Sequence, residues 1–112
     1  MQDVIIIGCG VVGAACAYRL SRFRLRLTVL EALSDVAGGT TKANSAILHG
    51  GYDPEPDTRM ARLNVEGVGM AEEICARLDV PYRKTGSLVL AFSQEDRALL
   101  RTLLERGERN GV

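Results

Sequence analysis

The strongest constraint on this chain is a short apolar run that breaks into glycines: Val4-Ile5-Ile6-Ile7, then Gly8-Cys9-Gly10-Val11-Val12-Gly13. The run is β-branched and does not alternate with polar residues. It suits a strand buried on both faces, as in a parallel sheet. From Val11 to about Phe23 the chain is Ala-rich and helical in propensity. Arg19 and Arg22 fall in its last turns, where cations oppose the negative helix end. Leu25 to Leu30 reads as a second strand, closed by Glu31. Strand, helix and strand within about thirty residues make a β–α–β unit, which the crossover rule makes parallel and right-handed. The fold class is therefore α/β.

The spacing G-x-G-x-x-G is weak evidence by itself. Here it lies between a strand and a helix, and an acid closes the next strand, which is the context of a dinucleotide-binding fingerprint. Gly8 allows the tight turn, Gly10 lets a pyrophosphate approach the backbone, and Gly13 lets the helix pack on the strand. The helix N-terminus, where Val11 and Val12 stand, offers N–H groups and partial positive charge to phosphates. Glu31 would accept hydrogen bonds from the adenosine ribose, and its charge disfavours a 2′-phosphate. The competing reading is a glycine-rich turn that binds no dinucleotide, and the agreement of strand, glycines, helix and acid outweighs it. Cys9 fills an unconstrained position of the motif, and Cys16 is a small residue on a packed helix. Nothing basic accompanies either to make a reactive thiol. Arg22, Arg24 and Arg26 read as a solvated connection rather than an anion or membrane-surface patch.

Ser34 to Asp57 has no sustained period and is rich in Gly, Ser, Thr, Asn and Pro. A loop of that length inside a small domain is functional or disordered. A helix is expected from Thr58 to about Leu78, with Met60, Leu63, Val68 and Met70 as its buried face and a bend at Gly67 and Gly69. Ser87 to Phe92 reads as a strand. Ser93 and Asp96 resemble a capping box, opening a last helix from about Gln94 to Arg106 with Leu99, Leu100, Leu103 and Leu104 as its stripe.

With 112 residues there is room for one small domain. Fourteen basic and fourteen acidic residues cancel, so charge gives no pull toward nucleic acid or an acidic membrane. A hydrophobic share of 46% excludes an intrinsically disordered chain. Aromatic residues are 4% with no Trp, leaving little to stack on bases, so no nucleic-acid partner is expected. Three cysteines without C-x-x-C, and one histidine, argue against a disulfide framework or metal site and fit a reducing cytoplasm. The apolar stretch Val4–Leu20 is broken by glycines and preceded by Gln2 and Asp3. It reads as neither a membrane span nor an export signal.

Asp3 to Glu31, followed by Gly38-Gly39-Thr40-Thr41-Lys42-Ala43-Asn44-Ser45-Ala46-Ile47-Leu48-His49-Gly50-Gly51-Tyr52-Asp53, resembles the N-terminal part of the FAD-dependent oxidoreductase family. That family is typified by D-amino-acid oxidase and flavin-linked glycerol-3-phosphate dehydrogenase. Leu63-Asn64-Val65-Glu66-Gly67, Thr85-Gly86-Ser87-Leu88-Val89 and Arg109-Asn110-Gly111-Val112 fit its glycerol-3-phosphate dehydrogenase and L-2-hydroxyglutarate oxidase branch. The resemblance implies a Rossmann-like FAD-binding part over residues 1–85 and the start of a substrate domain, strand plus helix, over 86–112.

It also implies FAD as cofactor. Thr40, Thr41, Asn44 and Ser45 would face its pyrophosphate and ribityl chain, and backbone near Ala46, Ile47 and Leu48 its ring. His49 would lie at the reacting face, either as the base that takes a substrate hydroxyl proton or as a structural histidine. Lys42 reads as solvated. The implied activity is hydride transfer from a small hydroxylated substrate, sn-glycerol 3-phosphate first, to flavin. Amine or amino-acid oxidation and a non-catalytic dinucleotide-binding module stay open as alternatives.

Two departures stand out. Phe23-Arg24 occupies a place where the family carries a glycine helix stop. The chain is also several times shorter than family members. It is expected to be an inactive fragment whose partners are a small-molecule substrate and the remainder of a parent chain. Unpaired strand edges would leave it poorly stable unless it self-associates. The parent is expected in the cytoplasm, with peripheral membrane association left open.

Overall fold

A computed structural model describes residues 1–112. Five elements follow one another: β1 (Val4–Ile7), α1 (Val11–Leu20), β2 (Leu27–Leu30), α2 (Arg59–Arg77) and α3 (Gln94–Asn110). By compactness the chain divides into Met1–Ile47 and Leu48–Val112.

In the first unit β1 and β2 pair in parallel, from Val4 opposite Leu27 to Ile7 opposite Leu30. Asp3 pins the start of the register. Its carboxylate accepts from the Arg26 backbone N–H at 2.8 Å and from Nε at 3.1 Å, while its own N–H donates to the Arg26 carbonyl at 3.0 Å. The Arg26 guanidinium, and then its backbone N–H, hold the Asp3 carboxyl below the usual carboxylate range. β2 begins at Leu27, where the ladder starts, rather than at Leu25.

α1 stops at Leu20 without a left-handed residue. Ser21 N–H donates to the Ala17 carbonyl and Phe23 N–H to that of Leu20, so Phe23-Arg24 replaces the glycine stop without strain. The expectation of burial on both faces of β1 does not hold. Ile6 meets α1 near Gly13, but Ile5 is 55% and Ile7 88% exposed, because a single helix covers a single face.

In the second unit Thr58 caps α2, its hydroxyl accepting from Ala61 N–H at 3.2 Å. The helix runs unbroken through Gly67 and Gly69. Its covered face is the expected one only at Val68. Ala61 and Ala71 are buried, with Asn64, Val65, Val68 and Ile74 half-buried, whereas Met60, Leu63 and Met70 are exposed. The reason lies in what covers it. The backbone of Gly51 packs so close that a Cβ there would come within 3.0 Å of Val65 Cγ2. Main chain packed at that distance takes small neighbours, not long ones.

α3 opens on the expected capping box: the Ser93 hydroxyl accepts from Asp96 N–H, and the Asp96 carboxylate accepts from Ser93 N–H. It runs to Asn110, past the expected end at Arg106. Gly107 stays inside the helix, and Gly111, at φ 82°, supplies the left-handed stop with Val112 N–H bonded to the Gly107 carbonyl. Leu100 and Leu103 are half-buried while Leu99 and Leu104 are exposed. Ser87–Phe92 is not a strand. A strand needs a neighbour for its N–H and C=O groups, and none pairs with it, so Leu88 is left 90% exposed.

No large side chain is fully buried, and the accessible surface is 9421 Å². No helix is long and apolar enough to cross a membrane.

Candidate functional site

The turn between β1 and α1 is shaped by missing side chains. Gly8 has φ 93°, a left-handed conformation that disfavours any Cβ, and its N–H donates to the Leu30 carbonyl at 2.7 Å. A Cβ on Gly13 would stand 2.0 Å from the Gly8 carbonyl oxygen, inside the backbone itself. A Cβ on Gly10 would reach to 3.1 Å from Thr41 Oγ1. Gly10 is also the N-cap of α1, brings no side chain of its own, and is followed by no acid in the first helical turn. Neither an N-cap side chain nor a first-turn acid neutralises the positive end of the helix.

Glu31 reaches this turn. Its Oε2 accepts from Cys9 N–H at 2.7 Å and its Oε1 from Leu33 N–H at 3.0 Å. The Cys9 amide, followed by that of Leu33, holds the carboxyl below the usual carboxylate range. Glu31 is thus ionised at neutral pH and tied to the turn that it is meant to serve.

Residues 37–46 fold back onto the same turn. Ala37, in the left-handed region at φ 58°, donates its N–H to the Cys9 carbonyl at 3.0 Å. The Thr41 hydroxyl accepts from Val11 N–H at 2.9 Å, capping α1 from 30 residues away. Asn44 spends its side chain locally, donating to the Thr41 carbonyl and accepting from Ala46 N–H at 2.7 Å.

An open groove of about 870 Å³ results, mostly apolar toward β1 and polar toward the loop. It gathers Gly8, Gly10, Val11, Val12, Gly13, Thr40, Thr41 and Asn44 from the expected set. Glu31 is bonded to the turn but does not line the groove, Ser45 and Ile47 are exposed and do not line it, and His49 is an exposed residue of the second unit. The sequence reading missed Cys16, which lines the groove, and the main-chain work of Cys9 and Ala37. A backbone contact leaves no mark on residue type, so no signal was there to find.

The second unit has a smaller concavity of about 460 Å³ at the N-terminus of α2, lined by Thr58, Arg59, Arg62 and Arg109 among others. Arg109 is already paired with Asp57 at 2.6 Å. All three cysteines are free, and no group of three or more His, Cys, Asp or Glu side chains is gathered as for a metal.

The groove suits a ligand that carries a diphosphate next to a ribose: the amide end of α1, of which Thr41 holds the first N–H, a glycine N-cap and an ionised acid beside them.

Comparison with known proteins agrees. Residues 3–112 match the family described as FAD dependent oxidoreductase. The chain is 47% identical over 112 residues to glycerol 3-phosphate dehydrogenase of Caloramator mitchellensis, covering 100% of this chain and 23% of that protein. It is 37% identical over 111 residues to glycerol 3-phosphate oxidase of Mycoplasma genitalium, covering 98% and 29%. It is 36% identical to mitochondrial L-2-hydroxyglutarate dehydrogenase of Homo sapiens, covering 98% and 24%. Among solved structures, dithionite-reduced L-alpha-glycerophosphate oxidase of Mycoplasma pneumoniae with FAD bound superposes at a TM-score of 0.89 and 34% identity. That superposition covers 99% of this chain and 29% of the other. The chain thus spans about a quarter of the length of these relatives.

Proposed function

We propose a function from one settled premise: this chain belongs to the FAD-dependent oxidoreductase family. It supplies the ADP-holding turn of an FAD site, in a protein that oxidises sn-glycerol 3-phosphate at a hydroxyl-bearing carbon. One observation carries the reading: ionised Glu31 is bonded to the Cys9 amide beside a helix N-terminus whose N-cap, Gly10, brings no side chain and whose first turn holds no acid. The relatives named for glycerol 3-phosphate support the choice of substrate.

Val12 and Gly13 present the amide end of α1 to the diphosphate, and Val11, whose N–H the Thr41 hydroxyl holds, lines the same turn. Glu31 holds the adenosine ribose through lone pairs that Cys9 and Leu33 leave available. Thr40, Thr41, Asn44 and Ser45 serve the pyrophosphate and ribityl chain, and the backbone at Ile47 the ring. The flavin, when bound, supplies the two-electron acceptor for the substrate's hydride. His49 takes the hydroxyl proton on its imidazole.

Residues 1–85 belong to the cofactor domain and 86–112 open the substrate domain. The remaining length that the relatives have supplies neighbours for the open edges of β1 and β2, and the chain alone self-associates to cover them. A cytoplasmic location fits the unpaired cysteines.

The test is a visible absorption spectrum of the protein that carries this chain over the relatives' full length. A flavin band that bleaches with glycerol 3-phosphate supports the reading. Bleaching by amino acids alone moves the substrate class, and a colourless protein that binds only NAD overturns the flavin assignment. In sedimentation, a monomeric and cooperatively unfolding 12.1 kDa species would remove the self-association.

A further inference from the structure

His49 makes no hydrogen bond of its own, and neither does Gly50, so the first fixed point after the proposed base is the carbonyl of Gly51. Asn110 does the fixing. Its Nδ2 donates to that carbonyl and to the carbonyl of Pro54, both at 2.9 Å, across 59 and 56 residues of sequence. An amide nitrogen has two protons, and both are spent here on the main chain of one short segment.

Packing leaves that segment little freedom. Gly51 is buried at φ 92°, and a Cβ on it would stand 2.8 Å from Val112 Cγ2 and 3.0 Å from Val65 Cγ2. Tyr52 lies against buried Gly107, where an added Cβ would come 3.3 Å from the Tyr52 Cβ. Arg106 holds the residues that follow, bonded to the Asp53 carbonyl and paired with Glu55. The end of α3 grips residues 51–55, directly after His49, and all of them belong to Leu48–Val112.

We infer that Asn110 is a positioning residue for His49: by holding the Gly51 and Pro54 carbonyls it fixes the root from which the imidazole projects. The inference rests on the proposed role of His49 as base and adds what orients it. A base works only within hydrogen-bond reach of the proton it takes. Without Asn110 both carbonyls turn to water, and the root swings. A misplacement of about 1 Å is enough to cost about a hundredfold in rate.

The test is a double-mutant cycle in the flavin-loaded protein that carries this chain over the relatives' full length, with glycerol 3-phosphate as substrate. His49→Asn is expected to lower kcat about a hundredfold or more, as loss of a general base does. Asn110→Ala is expected to lower kcat about tenfold or more and to change KM less than about threefold. The double variant is expected to match His49→Asn within about twofold, since a base that is absent cannot be misplaced. Flavin content after gel filtration reports that each variant is folded, and Asn110→Ser replaces Asn110→Ala if the flavin is lost.

If Asn110→Ala keeps kcat within about twofold, or if the two losses multiply in the double variant, Asn110 does not act through His49 and the inference is wrong. Loss of the flavin from both Asn110 variants reduces Asn110 to a structural residue and also overturns it. If His49→Asn keeps kcat while the flavin still bleaches, His49 is not the base, and the positioning role falls while the flavin reading stands. If glycerol 3-phosphate is not oxidised at all, the proposed function itself fails and takes this inference with it.

Discussion

The two units hold their loops in opposite ways. In Met1–Ile47 main chain is the common partner and glycines clear its path: Cys9 gives its N–H to Glu31 and its carbonyl to Ala37, and Val11 gives its N–H to Thr41. In Leu48–Val112 side chains at the end of α3 reach out. Asn110 donates to the carbonyls of Gly51 and Pro54 at 2.9 Å each, Arg106 pairs with Glu55, and Arg109 pairs with Asp57. The first unit is decided mainly by where atoms are absent; the second, beyond the close approach at Gly51, by how far side chains extend. A substitution that adds bulk should therefore injure the first, and one that shortens a side chain the second.

Gly13→Val tests this most severely. Its Cβ would lie 2.0 Å from the Gly8 carbonyl oxygen. The cost should reach about 3 kcal/mol or more, the upper range for overpacking. Hydrogen exchange should show β1 and β2 unprotected while α2 and α3 keep their protection. Loss of protection in all four together would mean that the units fold as one, and the contrast would be gone.

Asn110→Ala reverses the experiment. It strips two carbonyls of their donor and should destabilise the second unit by about 1–3 kcal/mol, seen as faster exchange in α3 with β1 unchanged. Thr58→Ala, which removes the cap of α2, should cost about 1 kcal/mol in the same unit and fray its first turn in circular dichroism.

Acid should give a smaller effect. The folded pKa of Glu31 lies below its unfolded one, so its contribution is fully present above the unfolded value and is lost as pH falls through the folded value. Asp3 in the same unit, and Asp96 at the start of α3, shift in the same direction. Below about pH 4 both units should weaken. Glu31→Gln should flatten the acid limb of the first unit alone, read from β1 amide signals along a pH titration. A flattened α3 response in that variant would count against separate units.

The same contrast explains what the sequence made legible. β1, α1, β2 and the site around Gly8, Gly10, Gly13 and Glu31 are written in short-range spacing, with Glu31 only 22 residues from its partner Cys9. The start of α3 was equally readable, because Ser93 and Asp96 are three residues apart. The buried face of α2 was not. Size alone pointed to Met60, Leu63 and Met70, but the covering backbone at Gly51 is anchored by Asn110, 59 residues away, and nothing in α2 announces it. Ser87–Phe92 carried strand composition without a strand to pair with, and composition cannot supply a neighbour.

Cys9, Val11 and Val12 serve the turn through peptide groups, and the side chains of Val11 and Val12 point largely into solvent. A saturation library across the motif should therefore read as two alphabets. At these three positions many letters are interchangeable, because every residue except proline carries the same N–H. At Gly13 there is one permitted letter, set by a volume that no other residue can vacate.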